Sequence, residues 1–167
     1  SNYVELLASN LINHGYELYV YDFRMRKLMD FQSKKIKKYF SIFKIFDDSF
    51  LRIPVNILAF IFFSLRNKKN FDIVHVLYIR SEFFLLSHFV KKIGKKLALS
   101  IFGSDLEKGS SWKVYFTKLF HLADEIHCQN PQIYDKFLDK YIPMNSREII
   151  NQKKNIIEYP IESLKIL

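Results

Sequence analysis

Residues 71–130 read FDIVHVLYIRSEFFLLSHFVKKIGKKLALSIFGSDLEKGSSWKVYFTKLFHLADEIHCQN, and this stretch decides the fold class. Three short, nearly continuous apolar runs punctuate it: Asp72 to Leu77, Lys95 to Phe102 and Glu125 to Gln129. Such runs suit strands covered on both faces. The segments between them have helical spacing. Ser81 is placed to cap a helix from Glu82 to about Lys92, and Gly94 stands where a left-handed residue closes it. Ser111 is placed to cap a second helix, from Trp112 to about Leu122. Asn130-Pro131 joins a capping side chain to a proline at the first helical position, starting a third that reaches about Tyr141. Strands alternating with helices of this length build a parallel sheet through right-handed crossovers.

Towards the N-terminus, Val4, Leu7, Leu11 and Ile12 are spaced for the buried stripe of a helix over Tyr3 to His14. Gly15 follows at its left-handed end, and Glu17 to Asp22 reads as a strand. Helix, glycine and strand make the second half of a β-α-β unit, so a first strand is expected ahead of Ser1. Residues 23–70 are rich in Lys and Phe and are expected to be mostly helical, broken or kinked near Pro54. Towards the C-terminus, Asn155 to Glu158 reads as a last strand ended by Tyr159-Pro160. The predicted architecture is a Rossmann-like α/β three-layer sandwich with a mostly parallel sheet. It occupies residues 1–160, and 161–167 begin an interdomain linker.

The bulk properties bound the function. With 49% apolar residues and only 4 Gly and 4 Pro among 167, the chain has the composition of one packed domain. Its 26 Lys and Arg against 17 Asp and Glu give +9, a field that favours anionic partners but also fits plain solubility. The single Cys128 excludes an internal disulfide. Ser1-Asn2-Tyr3 opens no signal peptide, and the longest apolar run, Ile53 to Leu65, is too short for the roughly 20 residues of a spanning helix. No nucleic-acid-binding motif accompanies the charge, so nucleic acid is not an expected partner.

In an open parallel sheet, ligands bind beyond the carboxyl ends of the strands. That rule selects Tyr78-Ile-Arg80 with Ser81-Glu82, Phe102-Gly-Ser-Asp105, and Gln129-Asn130. Gly103 admits close approach of a ligand to the backbone, and Ser104 and Asp105 are suited to sugar hydroxyls. The same residues equally fit an ordinary strand-to-helix turn, with Asp105 as a local acceptor. His75, between Val74 and Val76, fits a satisfied core histidine or a substrate contact, and His127 between Ile126 and Cys128 shares that ambiguity. The candidate substrate-binding set is therefore Gly103, Ser104, Asp105, His75, Arg80, Glu82 and Asn130, with no catalytic residue assigned. No cluster has metal-ligand spacing and no GxxxxGK[ST] or GxGxxG loop occurs, so neither metal nor cofactor is expected.

Between Arg24 and Lys44 there are eight Lys or Arg and one acid, Asp30. Ile36, Phe40, Phe43, Phe46 and Phe50 recur there at helical spacing beside Lys34, Lys35, Lys37, Lys38 and Lys44. A helix with a basic face beside an aromatic one suits an anionic membrane surface; it also suits packing on the sheet with a solvated lysine face. Lys34, Lys35, Lys37, Lys38, Phe40 and Phe43 are the candidate membrane-surface residues.

The order of these segments resembles the amino-terminal domain of family-four-type glycosyltransferases, which have the GT-B fold. Phe71-Asp-Ile-Val-His-Val76 is similar to that family's "(Y/F)DIVHxH" strand. Lys95-Lys-Leu-Ala-Leu-Ser-Ile-Phe-Gly-Ser-Asp105 is similar to its "KK(hydrophobic)xxTxHGSD" segment, and Leu122-Ala-Asp-Glu-Ile-His-Cys-Gln-Asn130 to its "xADxIxxxS" strand. Ile156-Ile-Glu-Tyr-Pro-Ile161 resembles the strand and turn where that domain hands over to the second. The resemblance implies the acceptor-binding half of an enzyme of bacterial cell-surface polysaccharide synthesis. A nucleotide-sugar donor would bind a second domain, absent here, and its sugar would pass without a metal to a glycan or lipid-linked acceptor. It also implies a cytoplasmic protein, peripheral on the inner face of the plasma membrane, and no turnover by this fragment alone. Phe102 stands where the family often has a histidine, Leu77 replaces the second histidine of its strand, and no E-x7-E pair occurs. The alternative is a non-catalytic basic α/β module that binds an anionic membrane surface.

Overall fold

The computed structural model describes residues 11–22, 36–41, 52–77, 79–80, 83–128 and 130–156. The chain divides into two compact units, Ser1–Asp72 and Ile73–Leu167.

In the first unit, the described end of helix α1, residues 11–13, closes in a glycine turn. The Gly15 amide donates to the Ile12 carbonyl and the Tyr16 amide to the Leu11 carbonyl, each at 3.0 Å, with Gly15 at φ 86°. These bonds satisfy carbonyls that the helix end would orphan, and a positive φ carries no Cβ clash at glycine. Strand β1, Leu18–Asp22, pairs in parallel with β2, Ile36–Ser41. Helix α2, Arg52–Asn67, is the other described element of the unit.

One expectation is corrected here. Ile36–Ser41 is a strand, so the helical spacing on which the basic, aromatic face was read does not apply to Lys37, Lys38 and Phe40. Ile36, Tyr39 and Phe40 are of the β-branched and aromatic types that favour strands, and β1 supplies a partner ladder that overrides the helical period. Lys34, Lys35, Phe43, Phe46 and Phe50 lie outside the described residues. Pro54 stands at the start of α2, close to where a break was expected. It is the helix's third residue, where the missing amide would have had no partner within the helix.

The second unit is an α/β layer structure built on a four-stranded parallel sheet, consistent with a Rossmann-like arrangement. Its strands are β3 (Ile73–Val76), β4 (Lys96–Ile101), β5 (Glu125–Cys128) and β6 (Lys154–Ile156), side by side in that order. The intervening helices are α3 (Phe83–Lys92), α4 (Trp112–Leu122), α5 (Pro131–Tyr141) and α6 (Met144–Asn151). Consecutive crossovers of one hand put α3, α4 and α5 on the same face, and α3 packs on α4 and α4 on α5.

The strand period of two separates the faces of this sheet. One carries Val74, Val76, Leu97, Leu99, Ile101, Ile126 and Cys128, and Tyr134 of α5 lies beside Cys128. Over it, Phe116, Phe120, Phe137 and Tyr141 form a continuous block of ring contacts, with Phe116 and Phe137 at 4.8 Å between centroids. All four are wholly buried, and each phenylalanine contributes about 2–3 kcal/mol over an exposed one. β4 is buried along both faces from Leu97 to Ile101, as its continuous apolar run requires.

The helix ends follow the sequence closely. Gly94, at φ 75°, closes α3 with the same pair of bonds as Gly15, Gly94 to Lys91 and Lys95 to Val90. The Asn130 side chain accepts from the Gln132 amide at 2.8 Å and Pro131 opens α5. Helix α6 has no counterpart among the expected elements. It buries only Ser146 and Ile150 and is held by Arg147, which donates to the Leu138 and Ile142 carbonyls and pairs with Asp139 at 2.7 Å. Ser81, Glu82, Gln129, the helix over residues 3–10 and the segment from residue 157 onward lie outside the described residues.

Candidate functional site

Because β3, β4 and β5 are adjacent and parallel, the segments that leave their carboxyl ends share one rim. After β3 the chain passes through Ile79, almost wholly buried, and the half-buried Arg80. The Tyr115 hydroxyl of α4 donates to the Arg80 carbonyl, and the Lys108 ammonium donates to the Ile79 carbonyl. The β3 and β4 loops are thus joined through main-chain groups.

After β4 the segment Gly103–Glu107 coils into a 3-10 helix. Asp105 organises it. One carboxylate oxygen accepts from the Phe102 amide at 3.0 Å, and the other lies 2.9 Å from the Lys108 ammonium. The Asp105 residue is 4% exposed. Lys108 also sits 4.5 Å from the centre of the Trp112 ring, a cation–π position. Beneath the loop, the Tyr141 hydroxyl points at the carbonyls of Asp105, Leu106 and Lys108. Asp105 is therefore the internal acceptor of its own loop, and any effect on a ligand runs through the shape it imposes.

Gly103 and Ser104 are exposed at the outside of that turn. Gly103 has no positive φ, and a Cβ built there would meet only the Ile133 Cδ1 of α5 at 3.9 Å, an ordinary contact. The fold does not demand glycine at this position. Asn130, also exposed, uses its side-chain oxygen for the α5 cap, which leaves its amide N–H groups unused by that cap. The Ile133 contact brings the β4 loop against the first turn of α5, so Gly103, Ser104 and Asn130 belong to one edge.

His75 lies elsewhere, on the sheet face away from the helices. Its Nε2 is 2.8 Å from the Ser100 hydroxyl, and its ring meets the His127 ring edge-on at 4.8 Å. His127 Nε2 donates to the Glu125 carboxylate at 3.0 Å, and Asn155 approaches the same oxygen at 3.5 Å. The His127 Nδ1 is buried without a hydrogen-bond partner. Burial first, then the neighbouring His127, pushes the His75 pKa from 6.5 down to about 3, so its imidazole is neutral at ordinary pH. Ser100 is 2% exposed, which denies this pair a substrate-facing nucleophile. The arrangement is a polar seam across four strands.

At the opposite rim, Asp124 is a second clamp. It accepts from the Leu97 amide at 2.7 Å and pairs with Lys91 at 2.6 Å, while its own amide donates to the Leu97 carbonyl. Burial raises its pKa, but the Lys91 and Leu97 hydrogen bonds and the charges of Lys91 and Lys153 outweigh that and hold it below the usual value. The "AD" pair of the sequence pattern thus ties the foot of β5 to the foot of β4.

Of the residues singled out from sequence, Gly103, Ser104, Asp105 and Asn130 come together, and Arg80 is joined to them through Lys108 and Tyr115. His75 belongs to the seam instead, and Glu82 lies outside the described residues. Sequence reasoning passed over Lys108, Tyr115 and Tyr141. Only Lys108, three residues from Asp105, carried a local signal; Tyr141 reaches the loop from 33 to 36 residues away. Among the described residues, no group of three or more His, Cys, Asp or Glu could hold a metal ion. No protein-family model matches the chain, and neither the curated proteins nor the solved structures include a significant match to it.

Proposed function

We propose that the chain is the acceptor-binding half of a GT-B-type glycosyltransferase of polysaccharide synthesis, with a glycan or lipid-linked saccharide seated over Gly103, Ser104 and Asn130. One observation carries this reading: three strand-to-helix segments share a single rim, and exposed small and polar groups stand on a loop braced from within. A saccharide needs a shallow surface with fixed donors and acceptors. The Ser104 hydroxyl and the Asn130 amide offer these, and the glycine leaves room for a sugar ring against the backbone. Bracing by Asp105, Lys108 and Tyr141 keeps the rim in place before the ligand arrives, which lowers the cost of ordering it. The sequence pattern around Gly103-Ser104-Asp105 supports the same assignment. No residue here is assigned as a catalytic base, and the nucleotide sugar would be bound by a separate domain.

Calorimetric titration of the chain with oligosaccharide acceptors tests this. Binding is expected without turnover, and Ser104→Ala should weaken it several-fold while leaving the melting temperature unchanged. Equal affinity of Ser104→Ala and the parent chain would remove this loop from the site.

A further inference from the structure

Helix α2 has its polarity reversed for a surface helix. Its buried positions include Asn56, Phe60, Ser64 and Asn67, which are 6, 7, 1 and 2% exposed. At about 100° per residue, the opposite side carries Leu58, Phe62 and Leu65, exposed at 67, 66 and 48%. With the half-buried Val55, these recur at intervals of three, four and three residues, the spacing of a seam along which two helices pack. The water-facing side of a surface helix is ordinarily polar, and a contiguous exposed apolar stripe marks a surface of interaction. Among the described residues no helix is long and apolar enough to cross a membrane.

The order of charges along the helix identifies what covers the stripe. In the sequence, Asp47 and Asp48 stand just ahead of α2 and outnumber Arg52 at that end. Arg66, Lys68 and Lys69 are exposed at the other end and outnumber Asp72. The approach to the helix is thus net negative and its exit net positive. A uniformly anionic surface would attract one end and repel the other. A second copy of the chain laid parallel would set like ends together. Laid antiparallel, it brings each basic end towards the acidic approach of the other while the two apolar seams close on each other. An antiparallel pair is also self-complementary about a two-fold axis, the commonest symmetry of soluble oligomers.

We propose that α2 is the interface of a two-fold dimer, in which the seam of Val55, Leu58, Phe62 and Leu65 packs antiparallel on the same seam of a second copy. One seam of this length buries less than the roughly 1,200 Å² of a standard stable interface, so the dimer dissociates in about the micromolar range. The proposal is independent of the saccharide reading, since it uses neither the rim nor its residues.

Sedimentation equilibrium of the full chain, from about 1 to 300 µM so as to span weak association, provides the test. The weight-average mass is expected to rise from that of one chain towards that of two. The Leu58→Gln, Phe62→Gln, Leu65→Gln triple variant should associate at least about ten-fold more weakly, with unchanged circular dichroism. Lys68→Glu, Lys69→Glu should also weaken association, and adding Asp47→Lys, Asp48→Lys to it should restore much of the loss. That rescue is a readout that a damaged fold would not give. The proposal is overturned if the parent chain stays monomeric, including as a monomer that floats with anionic vesicles. It is equally overturned if the glutamine variant associates as tightly as the parent, or if the double charge reversal restores nothing.

Discussion

Asp105 and Lys108 form a 2.9 Å ion pair in which the acid is almost wholly buried and its second oxygen is taken by the Phe102 amide. Removing that carboxylate takes the acceptor from the Phe102 amide and the counter-ion from the Lys108 ammonium. Asp105→Ala is therefore expected to cost about 2 kcal/mol, read as a lower urea midpoint with an unchanged slope. Asp105→Asn, which keeps an acceptor for Phe102, should cost less. An Asp105→Ala protein of parental stability would mean that the carboxylate is not the brace described.

Gly103 supplies the complementary case. A Cβ there meets only Ile133, at 3.9 Å, and φ is not positive, so Gly103→Ala should leave stability within about 0.5 kcal/mol of the parent. The same change should weaken saccharide binding by narrowing the approach to the backbone. Thermal melts and calorimetry on one sample separate the two effects. Destabilisation beyond that margin would place the demand for glycine in the fold and not in the ligand.

Asn130 tests the start of α5. Its side-chain oxygen caps the Gln132 amide at 2.8 Å, so Asn130→Ala should cost about 1 kcal/mol and Asn130→Asp very little. Chemical denaturation of both variants decides it; equal losses would show that the cap contributes nothing.

His75 makes a pH prediction. Its pKa is about 3 in the fold against 6.5 for a free histidine, so between these values the unfolded chain holds a proton that the folded chain does not. Stability contributed by neutral His75 is complete above pH 6.5 and is lost as pH falls towards 3, with a slope of up to about 1.4 kcal/mol per pH unit. His75→Asn should flatten the stability profile between about pH 5 and 6.5, a window above the carboxylate range. An unaltered slope in the variant would show that His75 is not the group responsible.

Much of the second unit was legible because its signals are local. Asn130-Pro131 fixes the start of α5, Gly94 the end of α3, and the continuous run of β4 its burial on both faces. The order of adjacent parallel strands follows from short crossovers of one hand, which sequence also shows. What was not legible depends on register and distance. His75 meets Ser100 and His127 only because the sheet aligns Ala98 with His75 and Ser100 with His127, and no spacing within one strand reveals that. Tyr141 braces a loop more than 30 residues away. Around Ile36–Ser41, aromatic and basic residues satisfied a helical period, yet the pairing with β1 decided the outcome. The Gly103-Ser104-Asp105 segment was marked correctly as a turn after a core strand, but which of its residues faces outward could be read only once the Asp105 hydrogen bonds were in place.

The central claim, that a saccharide acceptor sits on the carboxyl rim of β3, β4 and β5, is tested most directly by backbone amide chemical shifts of the chain titrated with oligosaccharide. The account predicts shifts at Arg80, at Phe102 to Ser104 and at Asn130, with Leu97 and Asp124 at the far rim unmoved. Shifts concentrated around Asp124, or no saturable shift with any saccharide acceptor, would contradict it.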